Sequence, residues 1–359
     1  MLSPLIFDPI YKEKVWGGNR LAVLLDKDIS PRAKIGESWE ISGFGNDISC
    51  IAEGPLTGTR LSDLFMNNRD ELVGGAGSAD TFPLLYKYID ARERLSVQVH
   101  PDDAQARSNG WGAFGKTECW YVVHADPGTQ MVAGFNRPVS SEDIEESLQK
   151  HSLPDLLNFI DVKQGDVLFI PAGTVHATLS GALLFEIQET SDTTFRFYDW
   201  DRNDPARPLH IEESLAVVDK AFHNRHTIQP VPFECMKGIE CRYRVACSYF
   251  SIIEHQFTLS TKHFLPPRQS FQVITVLNGE VEITGESFAA RYTSGRNILI
   301  PSVQRKIAVS ADPGAHLLVS WIPDLHNDVI APLRRQGISD ETIRCLGGNP
   351  LRNDLDLML

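Results

Sequence analysis

The stretch that decides the fold is Gly165-Asp-Val-Leu-Phe-Ile-Pro-Ala-Gly-Thr-Val-His176. A short apolar run ends at Pro171, and Gly173 supplies a turn before the histidine. This pattern predicts a buried strand, a tight turn and a second strand that begins at His176. A lone histidine on a strand is more often structural than functional, so His176 becomes informative only through partners elsewhere in the chain.

Those partners lie upstream, on two further segments with the pattern of strands. In Leu95-Ser-Val-Gln-Val-His100 the residues alternate, which places Ser96, Gln98 and His100 on one face. Glu118 opens a second apolar segment after a glycine turn. A polar inner face on a β-branched strand is typical of a barrel mouth that holds a ligand.

Gln98, His100, Glu118 and His176 are therefore the candidate metal ligands. Two imidazoles, a carboxylate and an amide suit a divalent transition metal with an open coordination position. Because the four residues come from three separate strands, a rigid scaffold would fix the geometry of the metal. The residues by themselves predict a metalloenzyme of β-barrel type.

A resemblance to a known family rests on these same motifs. Gly165-x5-Pro171-x-Gly173-x2-His176 resembles the second motif of the cupin superfamily, with Ser180 where asparagine is usual. Gln98-x-His100 with Glu118 resembles the first cupin motif, with glutamine in place of its first histidine and a wider gap before the glutamate.

Inside Leu-Ser-Val-Gln-Val-His-Pro-Asp-Asp, this variant is similar to type I mannose-6-phosphate isomerases (phosphomannose isomerases) in their short bacterial form. The segments 14–18, 36–40 and 82–87 and the spacing Glu186-x9-Arg196 also resemble that family. The resemblance is strong over residues 5 to about 220 and weaker over 240–323.

The resemblance implies a metal-dependent aldose–ketose isomerase of mannose and carbohydrate metabolism, which interconverts mannose 6-phosphate and fructose 6-phosphate through a cis-enediol. Such a reaction needs an acid/base group and a group that stabilises oxyanion charge. Arg196 is the first choice of catalytic residue, with Glu186 as acid/base partner and Lys116 as a second fixed cation. Lys87 and Ser96 are expected to contact the substrate phosphate.

The nitrogen and oxygen donors favour one zinc ion per chain, although nickel, cobalt, manganese and iron could occupy the same site. Two other classes of function stay open on the residues alone. An iron oxygenase could use two histidines and a carboxylate, but it would leave Glu186, Arg196 and Lys116 without a purpose. A sugar-binding cupin without catalysis would not need four candidate ligands.

The chain is predicted to be mainly β and to have four parts. Residues 1–125 and 161–225 form a cupin jelly-roll β-barrel that carries the metal site, and 126–160 form a small helical insert. Residues 226–323 form a second, degenerate cupin-like barrel without metal ligands, in which Asn278-Gly279 indicates a hairpin. Residues 324–359 form a helical extension.

Four helices are expected from local signals. One begins near Ser140, a second short one opens at Pro154, a third follows Pro208, and the last begins at Ser339 and stops at Gly347-Gly348. The first two belong to the helical insert.

Composition limits the partners. The chain has 359 residues, 42% of them hydrophobic, and a formal net charge of −13, which argues against nucleic acid and anionic membranes. An anionic sugar phosphate would need a locally basic site, which Lys87, Lys116 and Arg196 could provide. Six scattered cysteines, no signal peptide and no apolar run of transmembrane length indicate a reducing cytoplasm without a disulfide framework. The sequence does not indicate an oligomeric state.

Overall fold

The computed structural model describes residues 1–30, 32–76, 80–202, 204–221, 226–348 and 353–359. Most of this chain forms two successive pairs of β-sheets, which we call the N-terminal half (strands within residues 10–198) and the C-terminal half (strands within residues 231–321). The expectation of a mainly β fold is confirmed.

The N-terminal half contains thirteen strands in the described ranges. They are β1 Ile10–Gly18, β2 Ile35–Ile41, β3 Gly43–Phe44, β4 Asp47–Ile48, β5 Leu84–Ala91, β6 Val97–Val99, β7 Glu118–Ala125, β8 Gln130–Phe135, β9 Leu157–Asp161, β10 Val167–Ile170, β11 His176–Thr178, β12 Ala182–Glu189 and β13 Phe195–Tyr198. One sheet has six strands in the order β1-β2-β5-β12-β7-β10, and the facing sheet has five in the order β13-β6-β11-β8-β9. The short strands β3 and β4 pair with each other.

The C-terminal half contains ten strands in the described ranges. They are β14 Val231–Met236, β15 Ile239–Ala246, β16 Ser251–Phe257, β17 Thr261–Leu265, β18 Gln272–Asn278, β19 Glu280–Thr284, β20 Ala289–Thr293, β21 Asn297–Ile300, β22 Ile307–Ala311 and β23 His316–Trp321. Their orders, β14-β15-β16-β23-β18-β21 and β17-β22-β19-β20, repeat those of the N-terminal half strand for strand, apart from β13. The two halves therefore share one strand order.

The two halves join through their six-stranded sheets. The largest hydrophobic cluster draws Tyr86 and Phe185 from the N-terminal sheet and Phe271 and Val273 from the C-terminal sheet, all buried. Separate clusters fill the interior of each half. Each six-stranded sheet is therefore covered on both faces, which explains why strands such as β5 and β12 are buried along their whole length.

Helices connect the strands and cover the ends of the sheets. They are α1 Arg20–Leu25, α2 Leu61–Val73, α3 Asp103–Ser108, α4 Ser141–Gln149, α5 Ile211–Val217, α6 Ala331–Arg335 and α7 Asp340–Arg344. Short 3-10 turns occupy Gly74–Ala76, Leu153–Leu156, Cys345–Gly347 and Asp354–Leu357, and a π-helix occupies Leu325–Ile330. None of the helices in the described part of the chain is both long and apolar enough to span a membrane.

The helical content of residues 126–160 is smaller than the sequence indicates. The helix near Ser140 is present, with a capping box between Ser140 and Asp143. The second helix is a single 3-10 turn, Leu153–Leu156, and the chain then extends into β9, which pairs with β8. Pairing at the edge of the five-stranded sheet outweighs the helical signal of Pro154, so only residues 141–149 and 153–156 of this segment are helical.

Two further expectations are wrong. The Asn278-Gly279 turn does not close a hairpin, because β18 pairs with β21 and β23 whereas β19 pairs with β20 and β22. Gly279, with φ +82°, turns the chain from one sheet to the facing sheet. A disulfide also joins Cys235 to Cys241 across β14 and β15, which the spacing of the cysteines did not predict.

Candidate metal centre and active site

The candidate site lies between the two sheets of the N-terminal half. The five-stranded sheet contributes Gln98 from β6, His100 just beyond it and His176 at the start of β11, and Gln98 lies directly opposite His176 in the strand register. The six-stranded sheet contributes Glu118 at the start of β7, opposite Gln188 of β12. The structure thus brings these four residues together from β6 and the residue that follows it, from β7 and from β11.

The potential ligand atoms of His100, Glu118 and His176 lie within 4.8 Å of one another, and the three side chains are almost completely buried. Nε2 of His176 lies 3.1 Å from Oε1 of Glu118, and Nε2 of His100 lies 3.5 Å from Oε2. The Gln98 amide lies 3.1 Å from Nε2 of His176. All four predicted ligands therefore face one point.

Backbone carbonyls orient both imidazoles. Nδ1 of His176 lies 2.8 Å from the carbonyl oxygen of Thr174, and Nδ1 of His100 lies 2.9 Å from that of Thr193. A proton on Nδ1 that is donated to a carbonyl leaves the lone pair of Nε2 directed at the centre of the cluster. Burial, together with nearby Lys116, lowers the pKa of His100 to about 3, which keeps this imidazole neutral.

The residues present fit a bound metal ion. Nε2 of His100 and both carboxylate oxygens of Glu118 are buried without a hydrogen-bond partner in the described chain. Buried polar atoms without hydrogen bonds are costly, and a cation between the imidazole and the carboxylate would bind all three atoms. A donor set of two imidazole nitrogens and a carboxylate is typical of zinc and related ions.

Lys116 accompanies the Glu118 carboxylate. Its Nζ lies 3.1 Å from Oε2 of Glu118, and its side chain is buried. Burial alone would raise the pKa of Glu118, but Lys116 and the two imidazoles hold that pKa well below its usual range. Glu118 is therefore an anion at every pH at which the protein would work.

A second ion pair lies beside the first. Oε2 of Glu186 on β12 lies 3.3 Å from Nζ of Lys87 on β5, and the two residues are direct cross-strand neighbours. Burial and repulsion by Glu118 raise the pKa of Glu186 well above its usual range. Two neighbouring carboxyl groups whose pKa values are shifted in opposite directions are typical of an acid/base site.

Glu37 belongs to the segment 36–40 that resembles the family, but the sequence did not predict a role for it. Glu37 on β2 is paired with Lys14 at 3.3 Å, accepts a hydrogen bond from the indole of Trp39, and adds negative charge near Lys87. Burial raises the pKa of Glu37, but Lys87 and Lys14 outweigh it and lower that pKa.

Arg196 lies on the five-stranded sheet, and Ser96 immediately precedes strand β6 of the same sheet. Arg196 on β13 is directly opposite Gln98, so both side chains leave the same face of the sheet. Its guanidinium donates to the carbonyl oxygen of Pro208, while its Nε is buried without a partner. Ser96 is buried two residues before Gln98. Seven of the nine predicted site residues are therefore linked in one cluster between the sheets. Arg196 is related to that cluster by its register with Gln98, and Ser96 by its position two residues before Gln98.

A pair of carboxyl groups that the sequence did not single out holds the segment carrying Lys116. The Asp103 carboxylate accepts from the amide of Gly115, and Glu189 accepts from the amide of Thr117, both at 2.7 Å. A Cβ on Gly115 would come within 2.5 Å of backbone atoms of residues 102 and 103, so only glycine fits there. Burial and the charge of Asp103 raise the pKa of Glu189 to about 8.

Comparisons with known proteins show which family the chain resembles. Residues 5–127 match the model of the type I phosphomannose isomerase catalytic domain. The mannose-6-phosphate isomerase ManA of Bacillus subtilis is 34% identical over 83% of this chain and 93% of its own length. The mannose-6-phosphate isomerase of Streptococcus mutans is 36% identical over 84% of this chain and 93% of its own length.

Solved structures agree in fold. A crystal structure of the mannose 6-phosphate isomerase from Bacillus subtilis has a TM-score of 0.79 and 30% identity, and the match covers 89% of this chain and 99% of that one. A mannose 6-phosphate isomerase bound with zinc and yttrium shares the fold at a TM-score of 0.71, with 16% identity over 89% of this chain and 100% of that one. On the identity and coverage of these relatives, the chain belongs to the type I phosphomannose isomerase family.

Proposed function

We propose that this chain interconverts mannose 6-phosphate and fructose 6-phosphate at the cluster of Gln98, His100, Glu118 and His176, with zinc as the metal. The observation that carries the proposal is the convergence, on one point beside His176, of buried His100 and Glu118 atoms that make no hydrogen bond in the described chain. Relatives named for this reaction cover most of the chain.

The four candidate ligands would hold the ion, and a zinc ion would polarise the oxygens of the sugar as a Lewis acid. The choice of zinc is supported by the donor set and by the zinc-bound relative. The carbonyl partners of His100 and His176 would keep both imidazoles in the orientation that binding requires.

Glu186 would exchange the proton between C1 and C2 of the sugar, through a cis-enediol. Its raised pKa supports this role, since an efficient acid/base group has a pKa near the working pH. Lys116 and Arg196 would stabilise the negative charge that develops on the sugar oxygens. The unpaired Nε of Arg196 offers a donor for that purpose.

Lys87 and Ser96 would bind the phosphate group. Ser96 lies on the same strand face as Gln98 and His100, which supports a contact with bound substrate. Lys87 is already paired with Glu186, so a phosphate contact would require the ammonium group to be shared between the two anions.

Two remaining expectations belong to the same proposal. The chain would bind a small sugar phosphate and would bind neither nucleic acid nor a membrane. A cytoplasmic setting is supported by the free thiols of Cys50, Cys119, Cys247 and Cys345. Alkylating thiols before cells are broken would show whether Cys235 and Cys241 are reduced there.

The function is tested by a coupled assay of mannose 6-phosphate turnover on metal-loaded and chelated protein, with free mannose in parallel. We expect turnover of the phosphate ester that is lost on chelation and restored by zinc. Turnover of free mannose alone would contradict the phosphate contacts but not the chemistry. Absence of turnover by folded, metal-loaded protein would refute the proposal and favour a binding protein.

A further inference from the structure

A second cavity, of about 420 Å³, lies at one end of the sheets of the C-terminal half. Strand register relates its position to that of the metal centre. Glu118 starts β7 and lies opposite Ile170 of β10; in the same place Gln272 starts β18 and lies opposite Ile300 of β21. Gln272 lines the cavity, which therefore lies at the place in the C-terminal half that corresponds to the metal centre in strand register.

The cavity lacks the ligands of the metal centre. His176 pairs with Gln98, and the equivalent pair is Ile307 with Leu265. Leu265 also lines the cavity. Apolar side chains thus replace the amide and imidazole ligands, and this pocket must recognise its occupant by other groups.

Two histidines from opposite sheets meet in this pocket. His255 lies on β16 and His263 on β17, and their ring centres are 5.2 Å apart. Nδ1 of His255 is buried with no hydrogen-bond partner in the described chain, and the side chain is 4% exposed. Burial and the neighbouring His263 lower the pKa of His255 to about 3, so it is a neutral imidazole that donates a hydrogen bond from one ring nitrogen and accepts one at the other.

Arg268 provides a fixed positive charge beside them. Its guanidinium lies over the ring of Trp321, with the central carbon 4.2 Å from the ring centre, and it donates to Asp328 at 2.8 Å. Its Nε is buried without a partner in the described chain, and the residue is 8% exposed. A buried, unpaired guanidinium donor at a cavity wall points to an acceptor that binds there.

The charges of the lining favour an anion. Asp328 is the only acidic residue among the described lining residues, and Trp321 and the amide of Asp324 also donate to its carboxylate. Arg335 on α6 adds a second cation at the solvent-exposed edge. The lining therefore carries two positive charges, on Arg268 and Arg335, and one negative charge, on Asp328, whose carboxylate is already hydrogen-bonded. This local excess of positive charge contrasts with the net charge of −13 of the whole chain.

We propose that this cavity is a binding site for a small organic anion, either a phosphate monoester or a carboxylate. Arg268 would bind the anionic group at the inner wall, His255 and Gln272 would complete its hydrogen bonds, and Arg335 would contact it from the edge. Aromatic and proline side chains would enclose the rest of the molecule.

The test follows the imidazole NMR signals of His255 and His263 in the metal-loaded, full-length protein, assigned with His263→Gln. Inorganic phosphate and succinate are titrated separately, with mannose as a neutral probe. We expect one or both anions to shift these signals with saturation and mannose to leave them unchanged. The anion that binds more tightly shows whether the cavity prefers a phosphate or a carboxylate group. Absence of saturable shifts with either anion, or equal shifts with mannose, would overturn the proposal.

A matched pair of surface variants makes the test specific. Arg335→Gln removes the exposed cation of the lining, whereas Arg334→Gln removes its exposed neighbour, which does not line the cavity and pairs with Asp340. We expect Arg335→Gln to weaken anion binding about three- to tenfold at low salt and Arg334→Gln to leave it unchanged. Equal effects of the two variants would attribute the binding to general surface charge and refute the site.

Discussion

The N-terminal and C-terminal halves share one strand order but differ in what fills the mouth of each pair of sheets. In the N-terminal half Glu118 lies between two imidazoles, and two lysines and a second glutamate surround it. In the C-terminal half the register-equivalent residue is Gln272, and the two histidines there approach from other positions. One architecture therefore offers two pockets of different chemistry.

The difference shows which features make a metal centre. Buried histidines occur in both halves, so imidazoles alone are not sufficient. A carboxylate that two imidazoles and a lysine keep ionised is present only in the N-terminal half among the described residues. The fold supplies the pocket, and a few side chains at its mouth decide its function.

Replacing His176, whose equivalent in the C-terminal half is Ile307, should have the largest effect. We expect His176→Ala to lose its metal and to reduce kcat/KM about a thousandfold or more, since the ion would supply several kcal/mol of transition-state stabilisation. Metal content and mannose 6-phosphate turnover are measured together. His124→Ala, on the same strand as Glu118 but partly exposed, is the control and should retain both. A His176→Ala protein with full metal content would contradict the ligand assignment.

Lys116 tests whether the charge beside Glu118 is needed in addition to the ligands. In Lys116→Met the cation that opposes the burial of Glu118 is gone, and a donor to the substrate oxygens is lost with it. We expect kcat to fall about a hundredfold in fully metal-loaded protein. The exposed Lys163 provides a matched variant, Lys163→Met, with activity like that of the original chain. A kcat within twofold would refute the role of Lys116.

Glu189 holds the segment that carries Lys116, and its titration should make the stability of the protein depend on pH. Its pKa of about 8 exceeds that of an unfolded glutamate, about 4.3, so between these values the folded state keeps a proton that the unfolded state has lost. The free energy of unfolding should therefore fall as pH rises from 5 to 8. Glu189→Gln cannot titrate and should show a flatter dependence in denaturant titrations.

The matched control for Glu189 is Glu145→Gln on the exposed face of α4, which should keep the slope of the original chain. The contacts around Glu189 include Asp103 and the amide of Thr117, and neither is changed by these substitutions. Parallel slopes for the two variants would show that Glu189 is ionised in the folded protein.

The disulfide of the C-terminal half should have the smallest effect. Cys235 and Cys241 are six residues apart, so the bond restricts only a short loop of the unfolded chain and contributes about 2 kcal/mol at most. The double serine variant should unfold at a slightly lower denaturant concentration than Cys345→Ser, which removes a free, exposed thiol. A loss several times larger would mean that the bond maintains the structure of the whole half.

Much of the metal centre could be read from the sequence. Alternation in residues 95–100 assigns Gln98 and His100 to one face, and the Pro171–Gly173 turn places His176 at the start of its own strand. Glu186 could be assigned to an inner face, but its partner Lys87 lies 99 positions away in the chain (186 − 87) and becomes a neighbour only because β5 and β12 pair.

The sequence by itself determined the mainly β class, the shared face of Ser96, Gln98 and His100 and the set of candidate ligands, because these follow from local alternation and side-chain chemistry. Only the tertiary structure decided which strands pair. The Asn278-Gly279 turn joins two sheets instead of closing a hairpin, and residues 157–161 form an edge strand instead of a helix. Local signals cannot specify such outcomes, because the energy of pairing comes from partners distant in the chain.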